Sequence, residues 1–355
     1  MQIVNQNPRV AIAKIENDDI AKALKRAISL LEPIDFTGPI AIKPNLCDLI
    51  PASMGVTTDI RAVEALIEII REKSNDKISI VESDHWIASA DEEFENLGYK
   101  ELEPKYGVEL VNLSRDRKVS IRMKGHHFDV FRCPETLVNS RLISISKMKT
   151  QYQFRFTGIL KNQFGLIPEK YKGKYHPFMS EVLADLNGTF RPFLSIIEGL
   201  YSMESAGPAE GKPIKTNVII CGTDPVAVDA VAATLAGINP FKIGYLKYAA
   251  KKGIGEINNI DVVGDSVQFN FEFVPFPAFV FSSFSLKILR MGRKIDSFAS
   301  KISELFEQAY VATITLRHGF HTTLTYGSIT REGILRFAKA LIKRTFYRIK
   351  KSLLT

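Results

Sequence analysis

PRVAIAKIENDDIAKALKRAISLLEPIDFTGPIAIKPN, residues 8–45, places two apolar runs on either side of an amphipathic segment. Residues 8–16 read as a strand. Residues 18–32 carry apolar side chains at helical spacing, with Asn17 or Asp18 available to cap the first turn. Residues 38–45 are a short apolar run closed by a polar turn, the pattern of a buried strand. Outward from this unit the rhythm repeats. Residues 61–73 form a second amphipathic helix, with Thr57, Thr58 or Asp59 as its cap, and 77–83 a further strand. Residues 91–99 read as a short helix ended by Gly98. Strand and helix alternating at this spacing predict βαβ units, hence an α/β fold built on a mixed, mostly parallel sheet flanked by helices.

The middle of the chain keeps the theme with less regularity. Residues 108–114, 118–123 and 128–134 read as strands of an antiparallel excursion, and 141–147 as a buried strand. Residues 177–190 read as a helix, followed by strands at 193–199 and 217–222. Residues 224–237 open with Asp-Pro and end in Gly, a strong helix signature. A helix over 241–253 and a strand over 260–266 complete a core domain spanning 1–267. The stretch 201–213 reads as a shaped loop. From 268 the chain becomes crowded with Phe, notably over 276–290, and 310–318 could return to the sheet. Residues 331–355 form a basic amphipathic helix. The segment 268–355 is therefore read as a Phe-rich, basic helical extension.

The 355 residues are 45% hydrophobic and 24% charged, an ordinary globular balance. Net charge is +8, of which +7 lies in 331–355, so the rest is close to neutral at +1. Nucleic acid is not an expected partner, because the basic balance belongs to the tail alone. That tail has the form of a helix lying on an anionic membrane surface, or of one packing on its own domain; with the Phe-rich segment it could also make a homodimer contact. No apolar run reaches the roughly 18 residues of a membrane span. No basic-then-apolar start marks export, and the expected location is cytoplasmic, with membrane contact at the surface through 331–355. The cysteines, Cys47, Cys133 and Cys221, are far apart and form no local iron–sulfur motif. Cys47 stands out because it lies in a loop that could belong to a site.

Ligands of open α/β sheets bind beyond the carboxyl ends of the strands. Five predicted strands end in polar loops: at Lys43 and Asn45, at Glu82 to His85, at Lys147 to Thr150, at Glu198, and at Thr223 and Asp224. Parallel strands would open all five loops on one edge. The stretch FTGILKNQFGLIPEKYKGKYH, 156–176, adds turn-forming and polar residues with little periodicity. Lys43, Lys147, Lys149 and Lys161 would neutralise an anionic small molecule, Asn45 and Asn162 would orient it, and Gly165 would allow close backbone approach. His176, Glu198 and Asp229 are the candidates for proton transfer. Asp229 sits in an apolar helix and needs a lysine or a backbone donor beside it. Glu198, Asp224 and Asp229 could hold a divalent metal through oxygen, though Asp224 also reads as the cap of the helix at Pro225. His126 and His127 are adjacent and point apart on a strand, a poor chelating pair; His318 and His321, three apart, could hold a metal. No dinucleotide, P-loop or serine-hydrolase motif is present.

AIKPNL, Gly55 to Thr58, SKMKT, FTGILKNQFG, His176, IEG, AGPAEGKP and GTDPVAVDAVAATLAG follow one another in the order and spacing of the domain-of-unknown-function 362 family, which the chain resembles over roughly 38–255. The matching positions are Lys43, Asn45, Lys149, Lys161, Asn162, Gly165, His176, Glu198, Gly207, Pro208, Asp224 and Asp229. Many members look like iron–sulfur proteins because a ferredoxin-type four-cysteine segment is fused to the core. This chain lacks it, so the resemblance implies the core site and not a cluster. The expected function is the binding, and by an enzyme the conversion, of a phosphorylated or carboxylated small molecule. The alternatives are a non-catalytic redox or iron–sulfur assembly partner, and a peripheral membrane-surface protein.

Overall fold

The computed structural model describes residues 7–209 and 211–273. The elements in chain order are β1 (Arg9–Lys14), α1 (Ile20–Ser29), β2 (Ile40–Pro44), α2 (Ile60–Arg71), β3 (Ile78–Glu82), α3 (Ala90–Asn96), α4 (Leu102–Tyr106) and β4 (Glu109–Asn112). They continue with β5 (Lys118–Arg122), β6 (Val130–Pro134), α5 (Glu135–Val138), β7 (Arg141–Gln151), β8 (Arg155–Thr157), α6 (Ile159–Asn162) and α7 (Met179–Thr189). The last are β9 (Leu194–Glu204), β10 (Lys212–Gly222), α8 (Pro225–Leu235), α9 (Gly244–Lys251) and β11 (Asp261–Gly264). The Phe-rich 276–290, the run 310–318, the tail 331–355 and both His318 and His321 lie outside the described residues.

The main sheet runs β11-β1-β10-β9-β7-β2-β3-β4, with β8 added to β7; β5 and β6 form a separate hairpin. The fold is α/β, as the strand–helix alternation predicts. Strands β2, β3, β4, β7 and β9 are mutually parallel. β10 is antiparallel to both β9 and β1. Alternate side chains of each strand feed opposite faces. Ile40, Ile42, Ile143 and Ile145 join α1, α2 and α3 in one apolar layer. Val10, Ile12, Met148 and Ile197 join α8 and α9 in a second layer. Ala41, Val81 and Leu142 pack with the β5–β6 hairpin and α7 in a third cluster.

Several boundaries differ from the sequence expectation. The cap of α1 is Asp19, which accepts from the Lys22 amide at 2.9 Å, whereas Asn17 and Asp18 take φ of 51° and 60° in the turn before it. β7 runs on to Gln151, so Lys147 and Lys149 belong to a buried strand and not to a loop. The stretch 201–213 is largely hairpin, because β9 extends to Glu204 and β10 starts at Lys212. The expected helix 241–253 divides into a 3₁₀ turn at Pro240–Lys242 and α9. Residues 268–273 still pack on the core: Phe271 is buried, and the Phe269 amide donates to the Leu235 carbonyl at 2.8 Å.

Candidate functional site

The antiparallel course of β10 corrects the expected convergence of five loops. Only the ends of β2, β3, β7 and β9 open together; Thr223 and Asp224 lie at the opposite edge of the sheet. There Asp224 caps α8, accepting from the amides of Val226 and Ala227 at 2.8 and 3.0 Å. Its other oxygen accepts from the Glu256 amide at 3.1 Å and meets Arg191 at 3.5 Å. Among the described residues no group of three or more His, Cys, Asp or Glu is placed to hold a metal.

At the carboxyl edge of the parallel strands the lysines are buried. Lys43 is 1% exposed, and its ammonium donates to Glu82 Oε2 at 2.5 Å, to the Pro44 carbonyl at 2.7 Å and to Asn162 Oδ1 at 3.4 Å. The Glu82 carboxylate also accepts from the amides of Leu46 and Ser83. Asn162 donates through Nδ2 to the Lys43 carbonyl and to Ser144 Oγ, both at 3.0 Å, while Asn45 Nδ2 donates to its Oδ1 at 3.2 Å. Gly165 backs directly on this pair. A Cβ there would stand 2.6 Å from both Glu82 Oε1 and Lys43 Cε, so any side chain would have to displace the pair.

A second pair lies on the α2 side. Lys147 Nζ meets Glu198 Oε2 at 2.6 Å and donates to the Tyr201 carbonyl at 2.8 Å. Glu198 further accepts from the amides of Asp59 and Leu200 at 3.0 and 2.7 Å. Both of its oxygens are occupied and the residue is fully buried. This geometry anchors β9 to the start of α2.

Lys149 and Lys161 differ from these two. Lys149 donates to the Val56 carbonyl at 2.6 Å and to Cys47 Sγ at 3.3 Å. Among the described residues neither lysine forms an ion pair with a carboxylate, although the buried Asp48 acts on Lys149 through space. Burial lowers the pKa of Lys149. Burial, and then the neighbouring Lys149 charge, bring Lys161 down to about 8. The Lys161 ammonium lies 5.7 Å from the Phe154 ring. His176 packs between Phe154 and Phe164, with ring centroids 5.8 and 5.6 Å away. Burial, then Lys161, depress His176 to about 3, so its imidazole is neutral at physiological pH. Cys47 joins the two halves of the edge: its Sγ lies 3.9 Å from Asn45 Oδ1 and touches Lys149.

Asp229 supports the edge from below. Its carboxylate accepts from the amides of Ile159 and Leu160 at 2.6 and 3.0 Å, holding the start of α6 and with it Lys161 and Asn162. Burial raises its pKa to about 7 against those two hydrogen bonds. The stretch 156–176 is thus not a plain loop. It contains β8, the short α6 and two 3₁₀ turns, at Gln163–Leu166 and Gly173–Phe178.

Two further groups join the site that sequence reasoning did not single out. Lys172 is buried and donates to the Asp84 carbonyl at 2.6 Å; burial lowers it to about 8. Glu93 is fully buried, its pKa raised well above the usual carboxylate range by burial and then by Glu82, and it meets His85 Nε2 at 2.7 Å. Lys172 stood in the polar stretch 156–176, a weak signal. Glu93 carried none, since DEEFEN reads as the solvated first turn of a helix.

The chain is 24% identical over 260 residues to "Thylakoid-associated protein sll1697" of Synechocystis sp., covering 69% of this chain and 79% of that protein. Among solved structures it is similar to the lactate racemase apoprotein from Thermoanaerobacterium thermosaccharolyticum, at a TM-score of 0.40 and 11% identity, over 66% of this chain and 58% of that one. The sequence pattern described as "Domain of unknown function (DUF362)" matches residues 40–234, more than half of the chain. The motifs from AIKPNL to GTDPVAVDAVAATLAG that build the lysine-lined edge fall almost wholly within that match, and the chain belongs to the DUF362 family.

Proposed function

We propose that the carboxyl edge of β2, β7 and β9 binds a small anionic molecule, carboxylated or phosphorylated, and that it does so as the substrate site of an enzyme. One observation carries this reading. Four lysines crowd one edge, and two of them, Lys43 and Lys147, have a buried carboxylate each. For Lys149 and Lys161 no carboxylate lies in ion-pair contact among the described residues; Lys149 feels the Cys47 sulfur and, through space, the buried Asp48. An ammonium out of water with no carboxylate in contact is under-compensated, and an anion seated between these two would relieve it. Lys161 and His176 are half-buried, which leaves a way in.

A thermal-shift panel of inorganic phosphate, pyruvate, citrate and phosphorylated sugars tests the reading. At least one anion is expected to stabilise the wild type. Lys161→Ala is expected to weaken that anion tenfold or more, about 1.4 kcal/mol or above. Affinity should fall as pH rises through about 8, where Lys161 loses its proton. Equal shifts for wild type and variant would refute the site.

A second reading concerns location. The relative is named for thylakoid association, and residues 331–355 carry +7. Among the described residues no helix is long and apolar enough to cross a membrane, so contact would be at the surface, through the tail. Sedimentation with anionic vesicles tests it; unchanged pelleting after deletion of 331–355 would end it.

A further inference from the structure

We propose that Lys161 is an amine nucleophile that forms an imine with the carbonyl carbon of a small oxo acid whose carboxylate is held by Lys149; this rests on the anion-binding reading and assigns its substrate class.

The lysines of this edge are otherwise tied down. Lys43 is bound to Glu82, Lys147 to Glu198, Lys149 to the Val56 carbonyl and Cys47, and Lys172 to the Asp84 carbonyl. Among the described residues the Lys161 ammonium makes no hydrogen bond and no ion pair; its recorded neighbour is the face of Phe154. Its backbone, by contrast, is doubly fixed. Asp229 holds the two amides that precede it, and Asn162, which follows it, is locked to the Lys43 carbonyl and Ser144 Oγ. A rigid backbone that presents an unengaged amine is the arrangement of a reacting group, not of a structural one. Beside it lies the Phe154 ring, which itself packs on His176 and through it on Phe164. An apolar pocket and a second cation beside it are the two conditions that keep a lysine amine unprotonated and nucleophilic near neutral pH. The depressed pKa of Lys161 agrees with that placement.

The chemistry balances without an oxidant or reductant. The neutral amine adds to the carbonyl carbon, forming a C–N bond and a carbinolamine. The nitrogen proton passes to the hydroxyl oxygen, the C–O bond breaks, and water leaves with formation of C=N. A solvent water carries that proton, since Lys161 is half-buried and within reach of solvent.

Borohydride trapping tests the assignment. The full chain is incubated with glyoxylate or pyruvate and sodium borohydride, and the product is read by intact mass and peptide mapping. The expected result is a single carboxymethyl or carboxyethyl group on Lys161, formed faster as pH rises through about 8. Lys161→Arg, which keeps the charge and cannot form an imine, should abolish it while leaving the melting temperature close to wild type. Lys149→Gln should slow it tenfold or more. Adducts spread over surface lysines, or none on Lys161, would overturn the proposal. The same samples run in the thermal-shift assay separate the two claims. Anion-induced shifts without an adduct remove the nucleophile and leave the binding site standing; neither shift nor adduct removes both.

Discussion

Asp229 gives the sharpest test of how the site is supported. Its carboxyl is fully buried, and its pKa is raised from 3.8 to about 7 by that burial. A carboxylic acid with a raised folded-state pKa stabilises the protein in full below the unfolded value, and that stability is lost as pH climbs to the folded value. Between pH 5 and pH 8 the unfolded chain is already ionised, whereas the folded chain must ionise at about 7. The interval from 5 to 7 is worth about 3 kcal/mol at roughly 1.4 kcal/mol per pH step. Asn at this position cannot titrate. Its oxygen replaces one acceptor, and its amide opposes the other backbone N–H, so Asp229→Asn should cost about 1–3 kcal/mol at pH 5. Urea unfolding of both proteins at pH 5 and pH 8 reads the difference. The wild type should lose about 3 kcal/mol more than the variant between the two pH values, so that the gap closes or reverses at pH 8. Parallel losses would show that Asp229 does not titrate between them and that burial does not govern it.

Glu82→Gln should cost about 3–5 kcal/mol in the same assay, because it strands the buried Lys43 ammonium; a loss below about 1 kcal/mol would mean that the Lys43–Glu82 pair is wetter than its geometry implies. Gly165→Ala forces the new Cβ against the same pair and should lower both the melting temperature and the affinity for any anion found in the thermal-shift panel, whereas a variant with wild-type values in both would show that the 3₁₀ turn yields easily.

The sheet was legible because buried parallel strands read as continuous apolar runs between amphipathic helices; residues 8–45 contain β1, α1 and β2 in that form. Strand direction was not legible. NVIICG is as apolar as its parallel neighbours, and nothing in the run says that β10 turns back to pair with β9, which is what carries Asp224 away from the site. The residue types at the edge were visible, but their partners were not. Lys43 meets Glu82 at a separation of 39 residues, and Asp229 meets Ile159 at 70. Such pairings follow from tertiary packing, not local pattern. A lysine after an apolar run reads as the end of a strand, yet Lys147 and Lys149 continue β7 because Glu198, the Tyr201 and Val56 carbonyls and Cys47 surround their ammonium groups. The burial of Glu198 and Asp229 could be expected from their apolar surroundings, but the backbone amides that hold them could not.

The central claim is that the buried Lys149 and the half-buried Lys161 form a pair of charges awaiting an anion. A crystal structure of the chain with the anion that gives the largest thermal shift tests it directly. The account predicts a carboxylate or phosphate oxygen within about 2.7–3.2 Å of both ammonium nitrogens. An anion seated elsewhere, for instance in the surface cleft of about 250 Å³ lined by Arg61 and Lys105, with Lys149 and Lys161 untouched, would contradict it.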